Sequence, residues 1–177
     1  IRSAAAQAAA RCGREEEALD HLARLAPWLE LAPRWAIGFP RMACEAAHVL
    51  WLLERVDHIE VIEDALRTKV IASDFRHSSV DGRHGLALVC ALTGRHDEAL
   101  EWFAAARTVL AAQGARPLLA VCDFDEALMY ARRREPGDVQ QAAALLESAA
   151  KQFEVLGMTG WIRRAAQLEA ELGGRQP

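Results

Sequence analysis

Lysine is nearly missing from this chain of 177 residues. Lys69 and Lys151 are the only two, so arginine carries almost all of the positive charge. Strand signals are equally scarce. Apart from a short VIAS near residue 70, no β-branched run alternates with polar residues, which argues against a sheet-based fold. No stretch approaches roughly 18 uninterrupted apolar residues, which excludes a conventional transmembrane helix. The N-terminal IRSAAAQAAA has no signal-peptide apolar core, so no membrane association is expected and a cytoplasmic location is. The chain has no basic excess: its net charge is −4, against direct nucleic-acid binding. No CxxC pair occurs among Cys12, Cys44, Cys90 and Cys122. Each lies in an apolar helical pattern and is expected to be a reduced, buried thiol. No GxxxxGK[ST] phosphate loop is present, so the chain holds no ATPase core of that type. The chain begins without methionine and is read as a piece of a larger protein.

What is abundant is apolar sequence with helical period; hydrophobic residues make up 52% of the chain and charged residues 26%. In residues 97–114, Ala99, Leu100, Phe103, Ala106 and Leu110 fall on one helical face, and Gly114 is a natural stop. In residues 136–157, Val139, Ala142, Leu146, Ala149 and Phe153 form a stripe ended by Gly157. There Asp138 and Gln141 have the spacing of a capping box. Gly13, Gly94 and Gly137 each separate two helical segments. Behind each, the sequence recurs as Glu17-Ala18-Leu19, Glu98-Ala99-Leu100 and Gln141-Ala142-Ala143. A large apolar residue follows four positions after the alanine: Leu22, Phe103 and Leu146. A small residue admits a neighbouring helix and the larger one fills the groove beside it. Gly94 and Gly137 are about 43 residues apart, and Gly13 and Gly94 about twice 40, a repeat spacing. The degenerate unit between them is residues 52–66, with Glu54 in the glycine slot and Ile59 in the alanine slot. The expectation is a single all-α helical-repeat domain over 1–177. It has about four antiparallel pairs, near 1–30, 35–70, 80–114 and 117–157, and a capping helix at 161–172 with Trp161, Ile162, Ala165, Ala166 and Leu168 on its apolar side.

The unit LALVCALTGRHDEALEWFAAARTVL resembles the tetratricopeptide pattern. Ala87, Gly94, Ala99, Phe103 and Ala106 stand at its small, glycine, small, bulky and small positions, while the first-helix Trp and terminal Pro of that pattern are missing. A longer stretch is similar to the C-terminal helical-repeat regions of large bacterial signalling ATPases. Such regions also accompany adenylate or guanylate cyclase domains and LuxR-type transcriptional activators. The landmarks are Gly94-Arg95, Asp97-Glu98-Ala99, Phe103, Gly114-Ala115-Arg116-Pro117, Glu135-Pro136-Gly137-Asp138 and Leu156-Gly157-Met158. Residues 14–27 resemble a preceding repeat with less specificity. The resemblance implies a tetratricopeptide-like α-solenoid whose output domain lies outside these residues.

The stretch 67–85, RTKVIASDFRHSSVDGRHG, breaks the alanine pattern. As an inter-helix loop it would gather Arg67, Lys69, Arg76, His77, Arg83 and His84 near the concave rim, able to hold an anionic effector. The plainer reading is a solvated loop with Asp74 and Asp81 as counter-charges. A Ser–His–Asp hydrolase site from His77, Ser78, Ser79, Asp81 and His84 is disfavoured, since such triads are assembled from separated elements. A metal site from His77, Asp81, His84 and Cys90 offers suitable ligand types without a compact zinc spacing. Asp123, Asp125 and Glu126 form an acidic patch, either facing a groove for a basic partner or solvated and paired with Arg132 or Arg133. Trp102 and Phe103 must point to different sides of one helix, which leaves Trp102 for inter-repeat packing or for a binding groove. Trp28 and Trp35 flank Pro27 and Pro33 and are expected to plug that corner. The runs Arg14–Glu17 and Arg132–Glu135 read as ordinary exposed helix-end charges.

The expected function is that of a non-catalytic interaction or sensor module with a protein or peptide partner on its concave face. It would regulate a linked ATPase, cyclase or transcription-activator domain. The alternative is a receptor for a small anionic effector at 67–84. The binding residues are Arg67, Lys69, Arg76, His77, Arg83, His84, Trp102, Asp123 and Asp125. No catalytic residue, metal or cofactor is assigned, and self-association through the exposed edges of the stack is a further expectation.

Overall fold

The structure is a computed structural model and describes residues 2–33, 36, 38–73 and 79–174. Among the described residues every regular element is helical, and no helix is long and apolar enough to cross a membrane. The chain divides into two compact units, Ile1–Ala106 and Arg107–Pro177, with the division falling inside one helix.

The first unit contains α1 (Arg2–Arg11), α2 (Glu15–Leu31), α3 (Phe39–Leu53), α4 (Ile59–Asp64), α5 (Gly82–Leu92) and the start of α6 (His96–Ala112). Between α4 and α5 the helix continues through a π-helical segment, Ala65–Val70, and a 3-10 turn, Ile71–Ser73. Helix α3 is central. It packs on α1, α2, α4, α5 and the π segment, and buries residues on all its sides, Phe39, Ala43, Ala46, Val49 and Leu50 among them. Helix α1 buries only Ser3 and three alanines, Ala6, Ala9 and Ala10, so its backbone lies close to α2 and α3. Helix α5 meets the π segment through glycine: a Cβ on Gly82 would lie 2.7 Å from Val70 Cγ1.

The second unit contains the remainder of α6, then α7 (Arg116–Arg133), α8 (Asp138–Val155) and α9 (Thr159–Gly173). Helix α8 packs on both α7 and α9. Phe124, Phe153 and Trp161 join the three, with Trp161 5.4 Å from Phe124 and 5.5 Å from Phe153 between ring centroids.

The small-then-large register recurs inside α2, α6 and α8. Ala18, Ala99 and Ala142 are fully buried, and Leu22, Phe103 and Leu146 are at most 4% exposed. Full burial of such a side chain is worth about 1.5–3 kcal/mol. Left-handed residues follow the ends of α3 and α5. Gly94 has φ +76°, and the Arg95 N–H reaches back to the Cys90 carbonyl at 2.9 Å. Glu54, in the corresponding slot, adopts φ 53°, and the Arg55 N–H reaches Leu50 O at 3.0 Å. The geometry therefore belongs to the turn and not to glycine alone.

Four local expectations are corrected. Cys12 is exposed because α1 ends at Arg11 and Cys12 lies in the turn beyond it. Trp28 is 60% exposed and plugs nothing, since α2 runs straight through Pro27 and turns Trp28 outward; Trp35 lies outside the described residues. Val139 is 38% exposed, at the open edge of the α8 stripe. Asp138 makes no capping box with Gln141. It is the first residue of α8, and its carboxylate accepts the Glu135 N–H at 2.8 Å and a forked pair from Arg133 at 3.0 and 2.6 Å.

Two substitutions test this account by urea denaturation. Ala99→Leu is expected to cost about 1–3 kcal/mol through overpacking. Arg134 is exposed and ends α7 at φ 62°. Arg134→Gly relieves a left-handed cost of about 1–2 kcal/mol against a glycine entropy cost of about 0.5–1, and is expected to stabilise by roughly 0.5 kcal/mol.

Candidate functional site

The basic stretch is not one loop. Arg67 and Lys69 belong to the π-helical segment, and Arg83 and His84 to the first turn of α5. Asp74, Arg76, His77 and Ser78 lie outside the described residues. The described cations are spent on the protein itself. Lys69 Nζ donates to three carbonyls at the end of α2: Leu29 and Glu30, both at 2.8 Å, and Ala32 at 3.3 Å. It also sits 5.2 Å from the centroid of the Phe39 ring. A cation at a helix C-terminus satisfies orphan carbonyls and complements the helix dipole.

Arg67 enters a four-charge network. Glu63 accepts from Arg67 Nε at 2.8 Å and from Arg95 at 2.9 and 2.6 Å. Glu98 accepts from Arg95 at 3.1 Å, from Trp102 Nε1 at 3.3 Å and from Arg67. The Arg67 guanidinium lies 5.9 Å over the Trp102 ring. Two guanidiniums and two carboxylates alternate, tying α4 and the π segment to the start of α6. Arg95 holds the Glu63 carboxyl below its ordinary value, with Arg67 helping; Arg67 does the same for Glu98. Because these folded-state values are depressed, the contribution is fully present above the ordinary carboxylate pKa and is lost as pH falls through the lower folded values. Trp102 is half-buried beside this network while Phe103 is buried, so the helix does separate them.

Asp81 caps α5. Its carboxylate accepts the N–H groups of Arg83 at 2.8 Å and His84 at 3.3 Å, and Arg83 Nη1 lies 3.3 Å from its other oxygen. His84 is buried, its ring edge-to-face with His48 at 5.2 Å. The hydrolase and metal readings drawn on this stretch depend on His77 and Ser78, which lie outside the described residues. Cys90 Sγ lies 3.9 Å from Arg67 Nη2, and Asp81, His84 and Cys90 form no ligand set among the described residues. Burial pushes the Cys90 thiol up to about 12 and also raises Cys44 and Cys122, so none is a thiolate nucleophile at neutral pH.

The acidic patch is not a solvated face either. Asp123, Asp125 and Glu126 are all buried. Asp123 and Glu126 pair with Arg107, whose Nε donates to Asp123 at 2.6 Å and whose Nη2 donates to Glu126, while Arg133 pairs with Glu135 and Asp138. Burial raises the Glu126 pKa, and Arg107 only partly offsets it. Burial also works against the Arg107 charge, but the two carboxylates outweigh it and raise its pKa. Arg133 is likewise no idle surface charge, since it clamps Asp138, whereas Arg14 and Glu17 pair at 2.7 Å in the open.

Sequence reasoning missed Glu63, Arg95 and Arg107. Only the i,i+4 spacing of Glu63 with Arg67 and the i,i+3 spacing of Arg95 with Glu98 signalled any of them. It also missed a groove of about 440 Å³ between α8 and α9. Its floor is apolar and small-featured: Val139, Ala143, Leu146, Ala165 and Leu172. Its rim carries Glu147, Glu154 and Glu169 against Lys151, and Lys151 is ion-paired with Glu147 at 2.6 Å.

No protein-family model, curated protein or solved structure matches the chain.

Removing Arg107 leaves two buried carboxylates facing each other without a cation. Arg107→Met is expected to cost about 3 kcal/mol at neutral pH. Glu126 binds its proton more tightly folded than unfolded, so acidification favours the folded state at this site. The gap between Arg107→Met and the parent chain should therefore narrow between pH 7.5 and pH 5 in urea titrations.

Proposed function

We propose that the chain is a non-catalytic interaction or sensor module of tetratricopeptide-like helical pairs. It regulates a linked ATPase, cyclase or transcription-activator domain in bacterial signal transduction. The observation that supports this most is the buried alanine with a large apolar residue four positions on, repeated in α2, α6 and α8. That register is the physical content of the resemblance to the helical-repeat regions of signalling proteins, because it lets like units stack and leaves side faces for other chains. The distribution of charge points the same way. Arg67, Lys69, Asp123 and Glu126 hold helices to one another, which suits a rigid platform for recognition.

The reading frame that encodes these residues tests the proposal. A phosphate-loop ATPase, cyclase or DNA-binding domain in the same frame is expected, and its basal output should change severalfold when residues 1–177 are deleted from the full protein. A frame without any such domain, or an output indifferent to the deletion, overturns it.

A further inference from the structure

We infer that the groove between α8 and α9 is a docking site for a basic amphipathic helix of another protein segment. The inference rests on the interaction reading above and names the chemistry of the partner. Helices α8 and α9 run side by side and leave a cleft along their length. Its floor offers alanines at Ala143, Ala150 and Ala165, with Leu146 and Leu172 at the bottom. Floors built of methyl groups admit a third helix at the usual interaxial distance of about 8–10 Å. An extended strand would find no unpaired backbone here to bond, because both walls are helices. The α8 wall is 18 residues, about 27 Å at the helical rise, enough for an occupant of about five turns.

Charge decides the polarity of that occupant. Glu147, Lys151 and Glu154 follow one another at i, i+4 and i+7 along the α8 edge, and Glu169 stands on the α9 edge. Lys151 is already paired to Glu147, and that pairing holds the Glu147 carboxyl below its ordinary value. The rim thus presents three carboxylates against one lysine, all on exposed side chains. An apolar stripe flanked by arginine or lysine at the same helical spacing complements it on both counts.

The probe is a fluorescein-labelled synthetic peptide of 18 residues, roughly the length of α8, with leucine and alanine on one helical face and arginine on its flanks. A matched peptide carries glutamate in place of arginine. Anisotropy titrations use the intact chain in about 50 mM salt, where screening is weak. The arginine peptide is expected to bind at least about tenfold more tightly than the glutamate peptide, a gap of about 1.4 kcal/mol, and to weaken as salt rises. Ala150→Glu blocks the floor and should abolish binding. Should Ala150→Glu disturb folding, Glu147→Arg with Glu169→Arg reverses two exposed charges and should weaken binding about tenfold at an unchanged melting temperature. No binding of the arginine peptide, equal binding of both peptides, or binding that survives the rim variant each overturns the inference. So does a dimer in sedimentation that Ala150→Glu dissociates, which would assign the groove to a second copy of the chain. These outcomes leave the reading-frame test untouched, so the groove and the regulatory reading fail separately.

Discussion

Two helix backbones can come close only where the crossing point carries little more than a methyl group. That constraint shapes the molecule at every level. Ala18, Ala99 and Ala142 are fully buried at equivalent places in three helices. Gly85 carries the rule to its limit: a Cβ there would stand 3.6 Å from the Cys44 Cα and 3.3 Å from a Leu66 methyl. Alanine serves this role without weakening the helices, since it has the best helix propensity of any residue. Its drawback is that it buries little apolar area. The hydrophobic driving force therefore concentrates in a few large side chains, Trp51, Phe39, Phe103 and Phe153 among them, each at most 2% exposed.

Close packing of small residues leaves few places to bury a long side chain, so the charged groups collect along the seams. Arginine suits those seams because its planar fork meets a carboxylate through two parallel bonds. Arg133 does so with Asp138, and Arg95 with Glu63. Lys69 shows the complementary case. Its three donors meet three carbonyls fanned around the end of α2, an arrangement a compact ammonium matches and a planar guanidinium does not. One of only two lysines in the chain is thus placed where its geometry is needed. The networks around Arg67 are partly exposed and contribute modestly to stability. Their main effect is to fix which helix faces which.

Much of what depended on local spacing was legible in the sequence, although the capping box expected of Asp138 and Gln141 did not form. The glycines between helices were legible, and so was the turn at Glu54, because the repeat spacing locates a turn whichever residue occupies it. The opposite orientations of Trp102 and Phe103 follow from helical geometry alone. What depended on distant partners was not legible. Arg67 and Glu98 are 31 residues apart, and Arg107 lies 16 and 19 residues from Asp123 and Glu126. Seen only along the chain, Arg67, Lys69, Arg83 and His84 look like one cationic cluster. Folded, Arg67 is claimed by the seam with α6, Lys69 by the end of α2, and Arg83 and His84 by the start of α5. Val139 and Trp28 fail for a related reason: periodicity assigns a face to a helix but does not say how far along that face a neighbour extends.

The α8–α9 groove joins these two themes. Its floor repeats the small-residue surface that lets helices of this chain lie against one another, with Ala143, Ala150 and Ala165 in the places where a neighbour would approach. On the docking proposal, folding and recognition draw on one steric rule. What separates them is where the counter-charge comes from. Inside each unit, a seam where carboxylates gather is supplied with arginine from the same chain: Arg107 for Asp123 and Glu126, Arg95 and Arg67 for Glu63 and Glu98. At the groove the chain supplies one lysine for three glutamates, and that lysine is occupied by the first of them. A helix bringing its own arginines would complete there the same alternation of charge that the interior seams complete by themselves. On the docking proposal the acidic rim would do more than keep the open edge in water. It would exclude acidic helices of matching shape, and so convert a packing surface that any alanine-rich helix fits into one selective for charge.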